Sequence, residues 1–241
     1  DLNDRLWINT GLGYFNDATT LRMPANMHQS GFGANCVILD ANADGIPDIA
    51  RHNVPNVHLV YANPANPGYF TSIQQVYSGA AYNCSIGDLN NDTKPDIASS
   101  DDGQDRYQFG AVVSGGQLTF SPTTPVSYTG GGADDGFSRT SRMDDADNAG
   151  SRRLTITDFD VDVNGCGRRC HIFRNLGNLP NVTMQEQQVA GAISGIPTSS
   201  LSGTFDVAPM DVNGDGYLDL VIGRCSGTAI WINQPPVGMA F

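Results

Sequence analysis

Apolar and polar positions along the chain fall into short β-like runs separated by turn residues, with no stretch patterned as a long helix. Between 28 and 76 there are four such runs, at about 35–39, 48–51, 57–62 and 69–76. The same order of runs recurs in units of about 28–76, 80–126, 138–189 and 203–234, after a partial unit over 1–20. Four short strands per unit, repeated several times along one domain of 241 residues, predict an all-β fold of propeller type, with about five blades or a fragment of a larger ring. A β-sandwich is the rival all-β architecture. It leaves unexplained why one loop recurs at the same place in each unit.

That loop carries most of the chemical information. Asp40-x-Asn42-x-Asp44-Gly45-x-x-Asp48, Asp88-x-Asn90-x-Asp92-Thr93-x-x-Asp96 and Asp211-x-Asn213-x-Asp215-Gly216-x-x-Asp219 align without gaps, and each runs on into Ile or Leu. A worn copy begins at Asp145 and Asp147, but Ala149 and Arg153 stand where the third and last oxygen ligands belong. Oxygen donors at positions 1, 3, 5 and 9, with a backbone carbonyl at position 7, are the donor set of a hard cation such as calcium. No His or Cys lies within the loops, which argues against zinc or copper. A single Asp-Asn-Gly tract would read as turn chemistry alone, whereas three in register predict three Ca²⁺ sites. The expected ligands are Asp40, Asn42, Asp44, Ile46 and Asp48; Asp88, Asn90, Asp92, Lys94 and Asp96; and Asp211, Asn213, Asp215, Tyr217 and Asp219, with Ile46, Lys94 and Tyr217 contributing their carbonyls.

An aromatic residue two places before Asn recurs beyond the loops, as Tyr61 before Asn63, Phe173 before Asn175 and Trp231 before Asn233; Trp7 before Asn9 repeats it at the start of the chain. These four are expected to share one third-strand position and to be buried between blades. Gly13-Tyr-Phe15, Gly68-Tyr-Phe70 and Leu118-Thr-Phe120 align as the next element. The partial unit supplies a third strand near 5–9 and a fourth near 13–18 without a loop before them. The last unit has no recognisable fourth strand, so its open edge is expected to be completed by the N-terminal strand, by further copies of the chain or by other polypeptide.

Composition narrows the class. Of 25 acidic residues all but Glu186 are Asp, and of 13 basic ones all but Lys94 are Arg; with 28 Gly, this favours turns and short strands over helices. The net charge of −12 leaves no basic stripe for a nucleic acid. Three divalent ions would halve that charge, and in this reading calcium is structural. No run reaches the ~18 to 20 apolar residues of a membrane-spanning helix, and the first residues lack the features of a signal peptide.

The loop and strand pattern resembles the FG-GAP/VCBS repeat family, the calcium-loop propeller blades also found in integrin α-subunits and some lectins. The resemblance runs from Leu6 to Asn233 and is carried by the three intact loops. It implies a secreted or surface-displayed, non-enzymatic scaffold for adhesion, glycan or protein binding, or assembly, and names no ligand. The alternative is a propeller-fold hydrolase or lyase acting on extracellular polysaccharide.

Other residues add smaller expectations. Cys36 and Cys84 each lie four residues before a loop and could bridge neighbouring blades or remain buried thiols. One disulfide is expected among Cys166, Cys170 and Cys225, in keeping with an oxidising compartment. Cys166-Gly-Arg-Arg-Cys170-His171 has one residue too many for the usual haem attachment motif. Asn83, Asn91 and Asn181 begin N-glycosylation triplets. His28, His52, His58 and His171 are scattered, and the pairs Asp134–Asp135 and Asp144–Asp145 read as solvated turns, so no catalytic constellation is expected.

Overall fold

The computed structural model describes residues 4–27, 32–79, 81–101, 103–112, 115–128, 138–145, 153–158, 170–177, 179–186 and 196–234. The chain forms two compact units, one of Asp1–Ala80 with Gly110–Phe120, the other of Ala81–Phe109 with Ser121–Phe241. The fold is all-β, with a single four-residue α-helix, α1 (Thr19–Arg22), among the described residues.

In the first unit, β1 (Trp7–Asn9) and β2 (Phe15–Asp17) form a hairpin. A four-stranded antiparallel sheet follows, in which β3 (Phe32–Leu39), β4 (Asp48–Val54), β5 (Asn56–Ala62) and β6 (Phe70–Ser78) lie side by side in chain order. These strands match the four runs expected from the sequence.

The second unit opens with β7 (Ala81–Gly87), β8 (Asp96–Asp101) and β9 (Arg106–Gln108). The chain then leaves this sheet. β10 (Gly110–Val112) and β11 (Leu118–Phe120) form a separate hairpin that belongs to the first unit, and β12 (Thr124–Pro125) returns to pair with β9. Leu118-Thr-Phe120 is therefore not the counterpart of Gly68-Tyr-Phe70. The sheet's third and fourth strands are instead β9 and β12, flanking the inserted hairpin.

Two more sheets complete the second unit. One runs β13 (Ser138–Asp144), β14 (Arg153–Asp158), β15 (Cys170–Asn175) and β16 (Met184–Glu186), and the other β17 (Thr204–Met210), β18 (Asp219–Arg224) and β19 (Gly227–Trp231). The first strands touch in series, β7 against β13 and β13 against β17.

Side chains alternate between sheet faces, and the registers show which face packs on which. The row Ala98–Tyr107 of the β7–β12 sheet lies two residues past the loop's last Asp. It packs with Leu89 and Val126 against Leu154, Ile156 and Phe173 on the opposite face of the next sheet. Counted from the loop's last position (Asp96, or Arg153 in the next sheet), Ala98 lies on the even face and Leu154 and Ile156 on the odd one. The step repeats: Cys170 and Ile172, on the even face of that sheet, pack against Val207, Leu220 and Ile222 on the odd face of the last one. The core of the unit is thus a series of layers, each between the even face of one sheet and the odd face of its successor.

Of the recurrent aromatics Phe173 and Trp231 follow this register, while Tyr61 and Trp7 depart from the expectation. Leu154 pairs with Phe173 and Leu220 with Trp231, whereas Ile49 pairs with Val60. Tyr61 is therefore one residue out of step and projects from the other face. Phe173 is fully buried and Trp231 half-buried in these cores, whereas Trp7, expected to be buried like them, is 55% exposed.

Tyr61 has a different task. Its hydroxyl accepts the Leu118 amide at 3.0 Å and donates to Gln74 Oε1 at 2.7 Å, and Gln74 Nε2 donates to the Leu118 carbonyl at 2.7 Å. This closed ring of three bonds holds the β10–β11 hairpin onto the β3–β6 sheet, and burial raises the Tyr61 pKa above its ordinary value. Tyr61→Phe leaves the buried Leu118 amide unsatisfied and should cost about 1 to 3 kcal/mol. Thermal melting checks the loss, and hydrogen exchange should localise it to 110–120.

Candidate functional site

The three intact loops adopt the same structure, each joining the first strand of its sheet to the second. In the first loop the Asp44 amide donates to Asp40 Oδ1 at 3.1 Å and to Asn42 Oδ1 at 3.2 Å, and the Gly45 amide to Asp40 Oδ2 at 2.9 Å. The Ile46 amide donates to Asp44 Oδ1 at 2.8 Å. The second loop repeats this through Asp92, Thr93 and Lys94 onto Asp88, Asn90 and Asp92. The third does so through Asp215, Gly216 and Tyr217 onto Asp211, Asn213 and Asp215.

To aim these amides at the first carboxylate, the backbone turns left-handed at positions 4 and 6. The φ values are 59° and 84° at Ala43 and Gly45, 58° and 69° at Asn91 and Thr93, and 79° and 88° at Gly214 and Gly216. Gly adopts this region without strain, Asn tolerates it, and a β-branched residue does so at a cost. Thr93 is thus the most strained member of the set, and Ala43 carries a smaller cost.

The ninth-position carboxylates do something the sequence reading did not foresee. Asp48, Asp96 and Asp219 are fully buried. Asp48 Oδ2 accepts the Ala41 amide at 3.0 Å, while Oδ1 accepts the Ala62 amide at 2.7 Å, at the end of the third strand. Asp219 makes the same pair of bonds to Val212 and Asn233, both at 2.8 Å, and Asp96 accepts from Leu89 at 2.7 Å and Asn90 at 3.2 Å. Each buried carboxylate therefore fastens its loop, and in the first and last sheets it also fastens the third strand. The constant interval of fourteen residues from Asp48 to Ala62 and from Asp219 to Asn233 was the available signal.

Electrostatics separates the loop carboxylates. Backbone amides, Gly216 foremost, hold Asp211 below the usual carboxylate range. Asp48 is pushed up, mainly by burial and further by the negative charges of Asp44 and Asp40, although the Ala62 and Ala41 amides oppose the shift. A hard cation suits this oxygen-only donor set and would relieve the crowding in the first loop. The groups available to hold it are those expected from the sequence, Asp40, Asn42, Asp44, the Ile46 carbonyl and Asp48, with their counterparts in the other two loops. The carboxylates already accept loop amides, and among the described residues no three His, Cys, Asp or Glu side chains converge on one point. Asn42 and Asn213 also donate to the position-5 carboxylates, at 3.0 and 2.9 Å. A cation would require those amides to turn. The worn fourth loop lies, from 146 to 152, outside the described residues.

The remaining candidates do not assemble into a reaction centre. His171 and Glu186 are buried together, Nδ1 to Oε1 at 2.8 Å, with the edge of Tyr128 on the imidazole and the Tyr128 hydroxyl donating to Asp105. This polar seam lies against the core between two sheets, where each member of the pair gives the other a hydrogen-bond partner. Cys170 and His171 are both buried, so neither is presented to a haem. Burial and the charge of Arg51 lower the His58 pKa. Cys36, Cys84 and Cys170 carry reduced thiols, so the Cys36–Cys84 bridge is not formed. Burial raises the Cys84 pKa to about 12, while Cys36 is exposed. Cys225 is disulfide-bonded. Cys166, His28 and the Asp134–Asp135 pair lie outside the described residues. Of the glycosylation triplets, Asn91 and Asn181 are exposed and Asn83 is buried.

No family model matches the chain, and no curated protein does. Among solved structures it is similar to an Agrocybe aegerita lectin described as specifically recognising non-reducing terminal N-acetylglucosamine, with a TM-score of 0.61 at 15% identity. The match covers 99% of this chain and 59% of that one, so the chain spans less than two thirds of the lectin's length. At this identity the likeness shows a shared fold alone, which in this chain is all-β.

Replacing Thr93 by Gly removes the strained φ without touching a ligand side chain. It should raise stability by about 1 kcal/mol, or roughly 2 to 4 °C in melting temperature for a chain of this size. Gly45→Ala should lower it. Differential scanning calorimetry of both variants checks the pair.

Proposed function

We propose that the chain is a calcium-stabilised propeller scaffold of the FG-GAP/VCBS repeat type that binds glycans outside the cell without acting on them. The observation that carries the glycan part is the likeness of fold, over nearly the whole chain, to a lectin that recognises terminal N-acetylglucosamine. Serial contact of the first strands and the repeated stacking of sheets support the propeller. The calcium part is supported by three like loops of oxygen donors and by the mutual repulsion within the first of them. An adhesive or assembly role is the natural use of such a scaffold.

A glycan array that includes N-acetylglucosamine-terminated chains, run in calcium and again in chelator, tests the reading. Binding in calcium that is lost in chelator, with a lower melting temperature, is the expected result. No glycan bound in either condition removes the lectin reading, and a melting curve indifferent to chelator removes structural calcium.

A further inference from the structure

The three intact loops differ at one position that bears on covalent chemistry. The side-chain amide of an asparagine can be attacked by the backbone nitrogen of the next residue, and glycine there offers no side chain to hinder the approach. Position 3 is Asn in every intact loop, but the residue after it is Ala43 in the first, Asn91 in the second and Gly214 in the third. The sequence holds one other Asn-Gly pair, Asn164–Gly165, which lies outside the described residues.

The surroundings of Asn213 set it further apart. It is exposed, whereas Asn42 is half-buried and Asn90 is only 6% exposed. The space beside Gly214 is open too, since apart from its chain neighbours no atom lies within 4 Å of where a Cβ would stand. Only the loop itself restrains the pair. The Gly214 amide donates to Asp211 Oδ1 at 2.6 Å, a bond made in this loop in addition to those shared by all three. Asn213 Oδ1 accepts the Asp215 amide at 3.0 Å, and Nδ2 donates to Asp215 Oδ2 at 2.9 Å. All of these bonds lie in an exposed loop, and such bonds open locally without global unfolding.

We propose that Asn213 is a self-modification site, converted from amide to acid when the third loop opens. The Gly214 nitrogen bonds to Asn213 Cγ, the Cγ–Nδ2 bond breaks, and Nδ2 leaves as ammonia with the proton that Gly214 gives up. Water then opens the cyclic imide at one of its two carbonyls. One opening leaves aspartate at position 3. The other leaves an isoaspartyl link, which carries the main chain through the former side chain.

Both products lose the Nδ2 bond to Asp215 and add a carboxylate to a loop that already holds Asp211 and Asp215. The isoaspartyl form also lengthens the backbone, which breaks the register in which Asp211 gathers the Asp215 and Gly216 amides. Conversion therefore weakens the loop in the absence of a cation. It needs neither bound glycan nor calcium, so its failure and that of the proposed function are separately visible.

Incubation of the whole chain in chelator at neutral pH, followed by peptide mapping with mass spectrometry, tests this. Peptides spanning Asn213 should acquire the mass of the acid, in separable aspartyl and isoaspartyl forms, while Asn42 and Asn90 remain amides. Gly214→Ala copies the Asn-Ala order of the first loop and should block the conversion. Asp211→Ala frees the Gly214, Asp215 and Gly216 amides and should speed the conversion about fivefold or more, because the rate follows the open population. Asn213→Asp, which reproduces one product, should melt below the wild-type chain in chelator. Circular dichroism shows that each variant is folded before incubation. A wild-type Asn213 that stays an amide, or converts no faster than Asn42, overturns the proposal, as does a folded Asp211→Ala chain that converts no faster than wild type.

Discussion

A buried carboxylate at the end of each intact loop is the joint on which these sheets depend. Burying a charge is costly unless hydrogen bonds compensate it, and Asp48, Asp96 and Asp219 are each compensated by backbone amides. In the first and last sheets those amides come from two places, the loop and the end of the third strand. One side chain thereby fixes where the loop begins, where the second strand starts and where the third strand stops. The first carboxylate of the loop then gathers the amides at positions 5 and 6, which requires left-handed backbone at positions 4 and 6. The loop is a consequence of satisfying its own donors, and the acidic cluster that results is what a cation would stabilise.

Once the second and third strands are set, alternation decides the rest. Every strand places residues on two faces, and both faces of a middle sheet are buried, one against the preceding layer and one against the next. This explains why β15 is buried at nearly every position, and why a buried His–Glu pair can be accommodated at a layer boundary. In the last sheet Val212, Ile230 and Ile232 carry the apolar pattern of such a buried face and are exposed among the described residues.

Much of this was legible from residue order. The loops announced themselves because their Asp and Asn positions are spaced by backbone geometry that tolerates little change, and the strands of the first sheet fall where the apolar runs predict. The errors arose where local resemblance concealed a change in pairing. Leu118-Thr-Phe120 looks like Gly68-Tyr-Phe70, yet it belongs to an inserted hairpin, because the pairing of β9 with β12 spans it and only the register reveals that. Tyr61 matches Trp231 by its distance to Asn, but it stands one residue out of step, and its hydroxyl is used to hold that hairpin. The equivalent Cys36 and Cys84 are separated by environment, one exposed and one buried, which sequence position does not convey.

The measurement that bears most directly on the account is the stability of Asp219→Asn in the presence of chelator, with Asp215→Asn beside it. The amide retains the shape of the side chain but turns one acceptor into a donor facing a backbone N–H. If the ninth-position carboxylate is the joint, Asp219→Asn loses about 1 to 3 kcal/mol with no cation present, and Asp215→Asn loses less under the same conditions. Equal stability of Asp219→Asn and the wild-type chain in chelator would contradict it.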